Sequence, residues 1–123
     1  MNKIGVALVA AVTTLAANPA NAEPAPRAWS QCRACHNLKA GEPDKVGPNL
    51  HGLFGAKAAT LRPKFNYSQA LKSSGIIWNE ATLDAWLTNP MKTVRGTRMA
   101  FPGIKNPAER KALIAWLRKE GGK

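Results

Sequence analysis

The strongest constraint on this chain is a stretch that has no periodicity. From Lys39 to Arg62 the sequence reads KAGEPDKVGPNLHGLFGAKAATLR, and Gly41, Pro43, Gly47, Pro48, Gly52 and Gly55 interrupt any helical or alternating pattern. Structureless segments longer than about 15 residues are uncommon inside compact domains unless they serve a function. A chain of 123 residues is the size of one domain and has a limited core of its own. The loop therefore needs something to wrap around.

The periodic segments lie on either side of it. Arg27 to Cys35 predicts a short helix, with Pro26 tolerated near the first turn. Ser68 to Ser73 predicts another, ended by Gly75. A third starts at the N-cap Asn79, carries Leu83, Trp86 and Leu87 on one face, and stops at Asn89-Pro90, where proline bars its continuation. The last has Asn106 as cap, Pro107 at the first helical position and Glu109 at the third. It keeps Leu113, Trp116 and Leu117 on one stripe and ends at Gly121. Stripes at this spacing are core-facing. With no internal repeat and no credible strand, the fold class is all-α.

Residues 1–22 stand apart. Lys3, the apolar run Ile4 to Ala17 and the small-x-small triplet Ala20-Asn21-Ala22 have the pattern of a cleaved secretory leader. The run is shorter than the roughly 18 residues of a spanning helix, with retention as a membrane anchor the alternative reading, and once cleaved the chain is expected to have no stable membrane insertion. The domain is read as 23–123. Cleavage removes Lys3 from the 18 Lys plus Arg and none of the 7 Asp plus Glu, leaving a net charge of about +10. The cations are scattered, from Lys39, Lys45 and Lys57 to Lys92, Arg95, Arg98 and Lys105, with no dense run. That pattern argues against nucleic acid and for a solvated basic face that meets acidic protein partners.

The chain's only two cysteines stand in CRACH, residues 32–36. A disulfide between Cys32 and Cys35 would close too short a ring to restrict the unfolded chain much. A thiol oxidoreductase would place its CxxC after a strand in a βαβ unit, and no such unit is present. Zinc would have to combine Cys32, Cys35, His36 and His51, whose histidines lie fifteen residues apart instead of three to five. Covalent haem attachment accounts for the spacing. Thiols at i and i+3 lie on one face of a turn, where they can add to the two vinyl groups of a porphyrin. An imidazole directly after the second thiol is then placed to bind the iron, with His36 as proximal ligand. The porphyrin also supplies the bulk that the long loop must wrap.

For the opposite face of the iron the candidates are His51, Met91, Met99 and the lysines. Met99 is preferred. Gly96 and Gly103 let its segment bend, and Pro102 keeps it out of helix, so an extended chain can present a thioether to a metal. Two occupied axial positions leave no room for substrate, which predicts an electron carrier and not an enzyme.

Beyond CRACH, the residues GPNLHGLFG (47–55), FNYSQAL (65–71), GIIW (75–78), NPMKTVRGTRM (89–99) and LIAWLR (113–118) occur in order. With these motifs the chain resembles the class I cytochromes c from about Cys32 to Lys119. The resemblance implies a cytochrome c fold, short helices and a long loop wrapped around one haem c, covalently held by Cys32 and Cys35, with His36 and Met99 as axial ligands. It implies that Pro48 lends its carbonyl to the His36 ring N–H, and that Tyr67, Trp78 and Thr97 sit near the haem propionates. The implied function is one-electron transfer in the periplasm of an exporting bacterium, between a membrane donor complex and a terminal acceptor, by a monomer. Were Met99 to leave the iron, the open site would instead suit peroxidase-like chemistry or small-gas binding. The chain departs from the family at Arg95, where a proline is usual, at Ala56, where an arginine is frequent, and at Ala28, an aromatic position whose packing against Trp116 would pass to Trp29.

Overall fold

The computed structural model describes residues 4–13 and 23–122. The expected cleavage triplet, Ala20 to Ala22, lies outside the described residues. Within 4–13 there is no helix or strand, and Ile4, Val6, Leu8, Val9 and Val12 are exposed. Among the described residues five helices follow: α1 (Trp29–Cys32), α2 (Gln69–Ser73), α3 (Glu80–Thr88), α4 (Pro90–Thr93) and α5 (Pro107–Glu120). Among the described residues the only β pairing is one antiparallel bridge, Lys57 to Ile77. The all-α expectation holds.

The helix ends follow their side chains. Asn79 accepts from Thr82 N at 2.9 Å while Thr82 Oγ1 accepts from Asn79 N at 2.9 Å, a reciprocal cap that starts α3. Asn106 Oδ1 takes the N–H groups of Ala108 and Glu109 at 2.9 and 3.2 Å to start α5. Two expectations need correcting. The first helix is regular only over Trp29–Cys32, after which the chain continues to Cys35 in turns. Asn89-Pro90 does end α3, but it also opens α4. Asn89 Oδ1 caps Lys92 N at 3.1 Å, and a proline at the first helical position lacks only a donor that would have had no partner there.

Leu83, Trp86 and Leu87 of α3 pack with Leu113, Ile114 and Leu117 of α5 in one buried cluster, each leucine worth roughly 1.5–3 kcal/mol. Trp29 takes up the packing against Trp116, with ring centroids 5.1 Å apart, where Ala28 lacks a ring. Arg110 joins three elements. Its Nε meets Asp84 of α3 at 2.9 Å and its Nη1 donates to the carbonyls of Ile104 and Lys105 at 3.0 and 3.2 Å.

The long loop is organised from within by Asn49, which is wholly buried. Its Nδ2 donates to the Lys39 and Glu42 carbonyls, both at 2.8 Å, and its Oδ1 accepts from His51 N at 2.9 Å. Its own N–H donates to Asp44 Oδ1, which also holds Arg62 at 2.8 Å. These bonds fold the glycine- and proline-rich stretch into a fixed shell. Replacing Asn49 with Leu strands two carbonyls and one N–H, so unfolding of the holoprotein in guanidinium is expected to show a loss of about 2–3 kcal/mol.

Candidate haem site

The two thiols and His36 follow from the turn after α1. Arg33 N bonds to Trp29 O at 2.9 Å, and both Cys35 N and His36 N bond to Cys32 O, at 3.0 and 2.9 Å. This winding puts Cys32, Cys35 and His36 on the wall of one cavity of about 480 Å³. Pro48, Tyr67, Trp78, Thr97 and Met99 line the same cavity. All eight residues expected from the sequence to meet the haem are therefore brought together. Leu50, Leu53, Phe65, Leu83, Trp86, Leu87 and Phe101 complete the walls and make them largely apolar. No single one of these apolar residues has a sequence signature that separates it from ordinary core.

His36 is buried, and its Nδ1 donates to the Pro48 carbonyl at 2.7 Å, which leaves the Nε2 lone pair unused. Gly47 comes so close to the ring that a Cβ there would stand 2.3 Å from His36 Cε1. Its N–H also bonds Cys35 O at 2.8 Å. Burial lowers the His36 pKa below the ordinary histidine value. The Pro48 bond opposes that shift and the Lys45 charge adds to it. The ring is thus neutral at pH 7, the form that binds a metal.

Burial, aided by the Cys35 charge, pushes the Cys32 thiol up to about 11. A reactive thiolate needs the opposite shift, so burial does not activate the Cys32 thiol. His51 does not line the cavity. Its Nδ1 lies 3.2 Å from Leu38 O and its ring abuts Gly122, so the set Cys32, Cys35, His36 and His51 is not assembled for zinc. Met91 is 58% exposed on α4 and is likewise absent from the cavity.

The segment carrying Met99 is fastened at both ends. Arg98 Nη2 donates to Asn66 O at 2.6 Å, and a Cβ on Gly96, at φ +89°, would already touch Ala70 at 3.2 Å. Beyond it, Ile104 N bonds Leu87 O at 2.7 Å. Gly103, at φ +104°, lies so close to Thr88 O that a Cβ would come within 2.0 Å of that carbonyl. These contacts restrain the segment in the folded protein. Tyr67 Oη accepts from Arg62 N at 3.1 Å and Thr97 Oγ1 from Met99 N at 3.3 Å, so each hydroxyl keeps its own proton for an acceptor. Burial raises the Tyr67 pKa and holds it as the phenol.

These residues fit a haem. Two thiols and a neutral imidazole stand together, a thioether lines the same apolar space, and hydroxyl donors accompany them. The fold and the site define a protein of the c-type haem class, in which a short helical turn binds the cofactor covalently and loops enclose it.

No protein-family model matches the chain. Individual relatives do. A cytochrome c2 of Rhodomicrobium vannielii is 42% identical over 120 residues, covering 97% of this chain and 93% of the relative. A cytochrome c of Cochliobolus lunatus is 48% identical over 91 residues, covering 74% and 83%. Among solved structures, cytochrome cH from Methylobacterium extorquens superposes with a TM-score of 0.70 at 44% identity, covering 75% of this chain and 91% of that one. The chain belongs to the class I cytochrome c family. It is a monohaem c-type electron carrier with one covalent haem c.

Because Gly47 leaves no space beside the His36 ring, Gly47→Ala is expected to displace the imidazole. The measurement is the visible spectrum of protein made in haem-attaching cells. It should show reduced holoprotein yield and high-spin features, and an unaltered low-spin spectrum would contradict the packing argument.

Proposed function

We propose that the chain is exported to a bacterial periplasm, loses residues 1–22, and carries single electrons from a membrane complex to a terminal acceptor. Its haem is linked through Cys32 and Cys35, and the iron is held by His36 and Met99. The observation that carries this reading is the gathering of both thiols, the Pro48-bonded imidazole and Met99 around one largely apolar cavity. Export is supported by the leader pattern and by the Rhodomicrobium vannielii match, which covers 97% of the chain and so extends into the leader. No helix among the described residues is long and apolar enough to cross a membrane.

When bound, the haem supplies an iron that cycles between ferrous and ferric without making or breaking substrate bonds. The chain does the rest. Pro48 fixes the His36 tautomer and plane, and the anchored 96–104 segment holds the Met99 thioether in the cavity. The apolar walls exclude water, so a charge change inside meets a largely preset environment. Tyr67 and Thr97 keep hydroxyl protons that could be donated to the propionates of a bound haem, with Trp78 in the same lining. Outside, Arg33, Lys39, Lys45, Lys92, Arg95 and Arg98 are all exposed and form the candidate surface for acidic redox partners.

Removing the sulfur tests the ligand assignment. Met99→Ala is expected to abolish the weak near-red ferric band, lower the reduction potential and admit added imidazole or cyanide. A potential and spectrum equal to the parent's would refute Met99 as a ligand. Docking is tested by ionic strength. Electron exchange with an acidic partner is expected to slow roughly tenfold or more between low and high salt, and a salt-independent rate would remove the steering role.

A further inference from the structure

The hydroxyl of Tyr67 is held by a residue outside the cavity. Leu61, Phe65 and Tyr67 line the cavity, whereas Arg62, in the same turn, does not. The Arg62 backbone serves both ends of that turn. Its N–H donates to Tyr67 Oη at 3.1 Å, and its carbonyl accepts from Phe65 N at 2.9 Å. The Phe65 and Tyr67 rings meet edge to face, with centroids 5.0 Å apart, which restrains the plane of the phenol. The Arg62 side chain reaches the first loop. Its Nε donates to Asp44 Oδ1 at 2.8 Å, and the same oxygen accepts from the N–H of the wholly buried Asn49. A path of bonds thus runs from Asn49 through Asp44 and Arg62 to the phenol. The ion pair in it is more enclosed than Lys119–Glu23, with side-chain exposures of 35% and 23% against 64% and 56%, so solvent screens it less.

We propose that Arg62 is a positioning residue for the haem carboxylates: held by Asp44, it fixes the Tyr67 hydroxyl so that the phenol proton is donated to a propionate, and it thereby raises the reduction potential. The inference rests on the haem reading above. The Arg62 N–H occupies one lone pair of Oη, which narrows the directions left for the O–H and polarises it into a stronger donor. A propionate that receives this proton presents less negative charge to the iron. With the donor lost, the carboxylate favours the more positive ferric state, and the potential falls. Asp44 balances the charge of Arg62, so the effect of Arg62 passes through Tyr67 and not through a charge of its own.

The test is a spectroelectrochemical titration of the holoproteins in a double-mutant cycle of Arg62→Leu, Tyr67→Phe and the two combined. Each single change is expected to lower the ferrous-to-ferric ratio at a fixed applied potential by about threefold, and the combined change no further than Tyr67→Phe alone. Arg62→Lys keeps a cation for Asp44 and is expected to stay nearer the parent than Arg62→Leu. A purely structural Arg62 would lower the unfolding midpoint in guanidinium and leave the potential unmoved. That result, or falls that add in the double variant, would overturn the proposal. Should Arg62→Leu give no holoprotein, Arg62→Lys carries the cycle: a fall that disappears in the Tyr67→Phe background supports the proposal, and no fall, or one that persists there, contradicts it. The parent's spectrum reports on the haem reading separately. A parent without covalently bound low-spin haem defeats that reading, whereas a normal parent with an additive cycle defeats only the role of Arg62.

Discussion

The hydrogen bond from His36 Nδ1 to the Pro48 carbonyl is the contact on which the site depends. One end is set by the turn that also presents Cys32 and Cys35. The other belongs to the long loop, whose Gly47 lies flat against the imidazole. A single bond therefore fixes the imidazole's tautomer and orientation and seats the loop over the cavity. The net value of such a bond is only about 1 kcal/mol, so its importance is geometric. Burial reinforces it by keeping the ring neutral, with the lone pair of Nε2 available.

Around that contact the structure repeats one device, a polar side chain that ties irregular backbone to regular elements. Asn49 gathers the Lys39–His51 loop, Arg110 binds α5 to α3 and to the 104–105 backbone, and Arg98 fastens the Met99 segment to Asn66. The two longest helices supply six of the thirteen residues of the buried apolar cluster, and these ties hold the loops that carry the chemistry. In a domain this small much of the interior is shaped to receive the cofactor, and the cavity walls are the inner faces of the same residues that build the core.

Much of this was legible beforehand, because the signals were local. Caps at Asn79 and Asn106, Pro107 at a helix start and the CxxCH spacing each depend on a few neighbouring residues, and each appears where the sequence places it. Asn89-Pro90 reads from the sequence as a stop, though proline at a first helical position is equally a start, and here it opens α4. Asn49, Arg110 and the Arg98–Asn66 clasp were not legible at all. Their partners are mostly backbone carbonyls, which carry no residue identity, and the Arg98–Asn66 contact bridges 32 positions of sequence. The apolar cavity walls escaped for a related reason, since a leucine facing a porphyrin and one facing a core have the same helical spacing.

The central claim is that the protein grips one iron from both sides, with His36 held by Pro48 and Met99 held by its fastened segment. Proton NMR of the reduced holoprotein tests it most directly, because a methionine lying over the haem face has its methyl protons shifted far upfield by the ring current. The account predicts a three-proton resonance well outside the ordinary aliphatic range that vanishes in Met99→Ala. A spectrum lacking that resonance, or retaining it in the variant, would contradict the account.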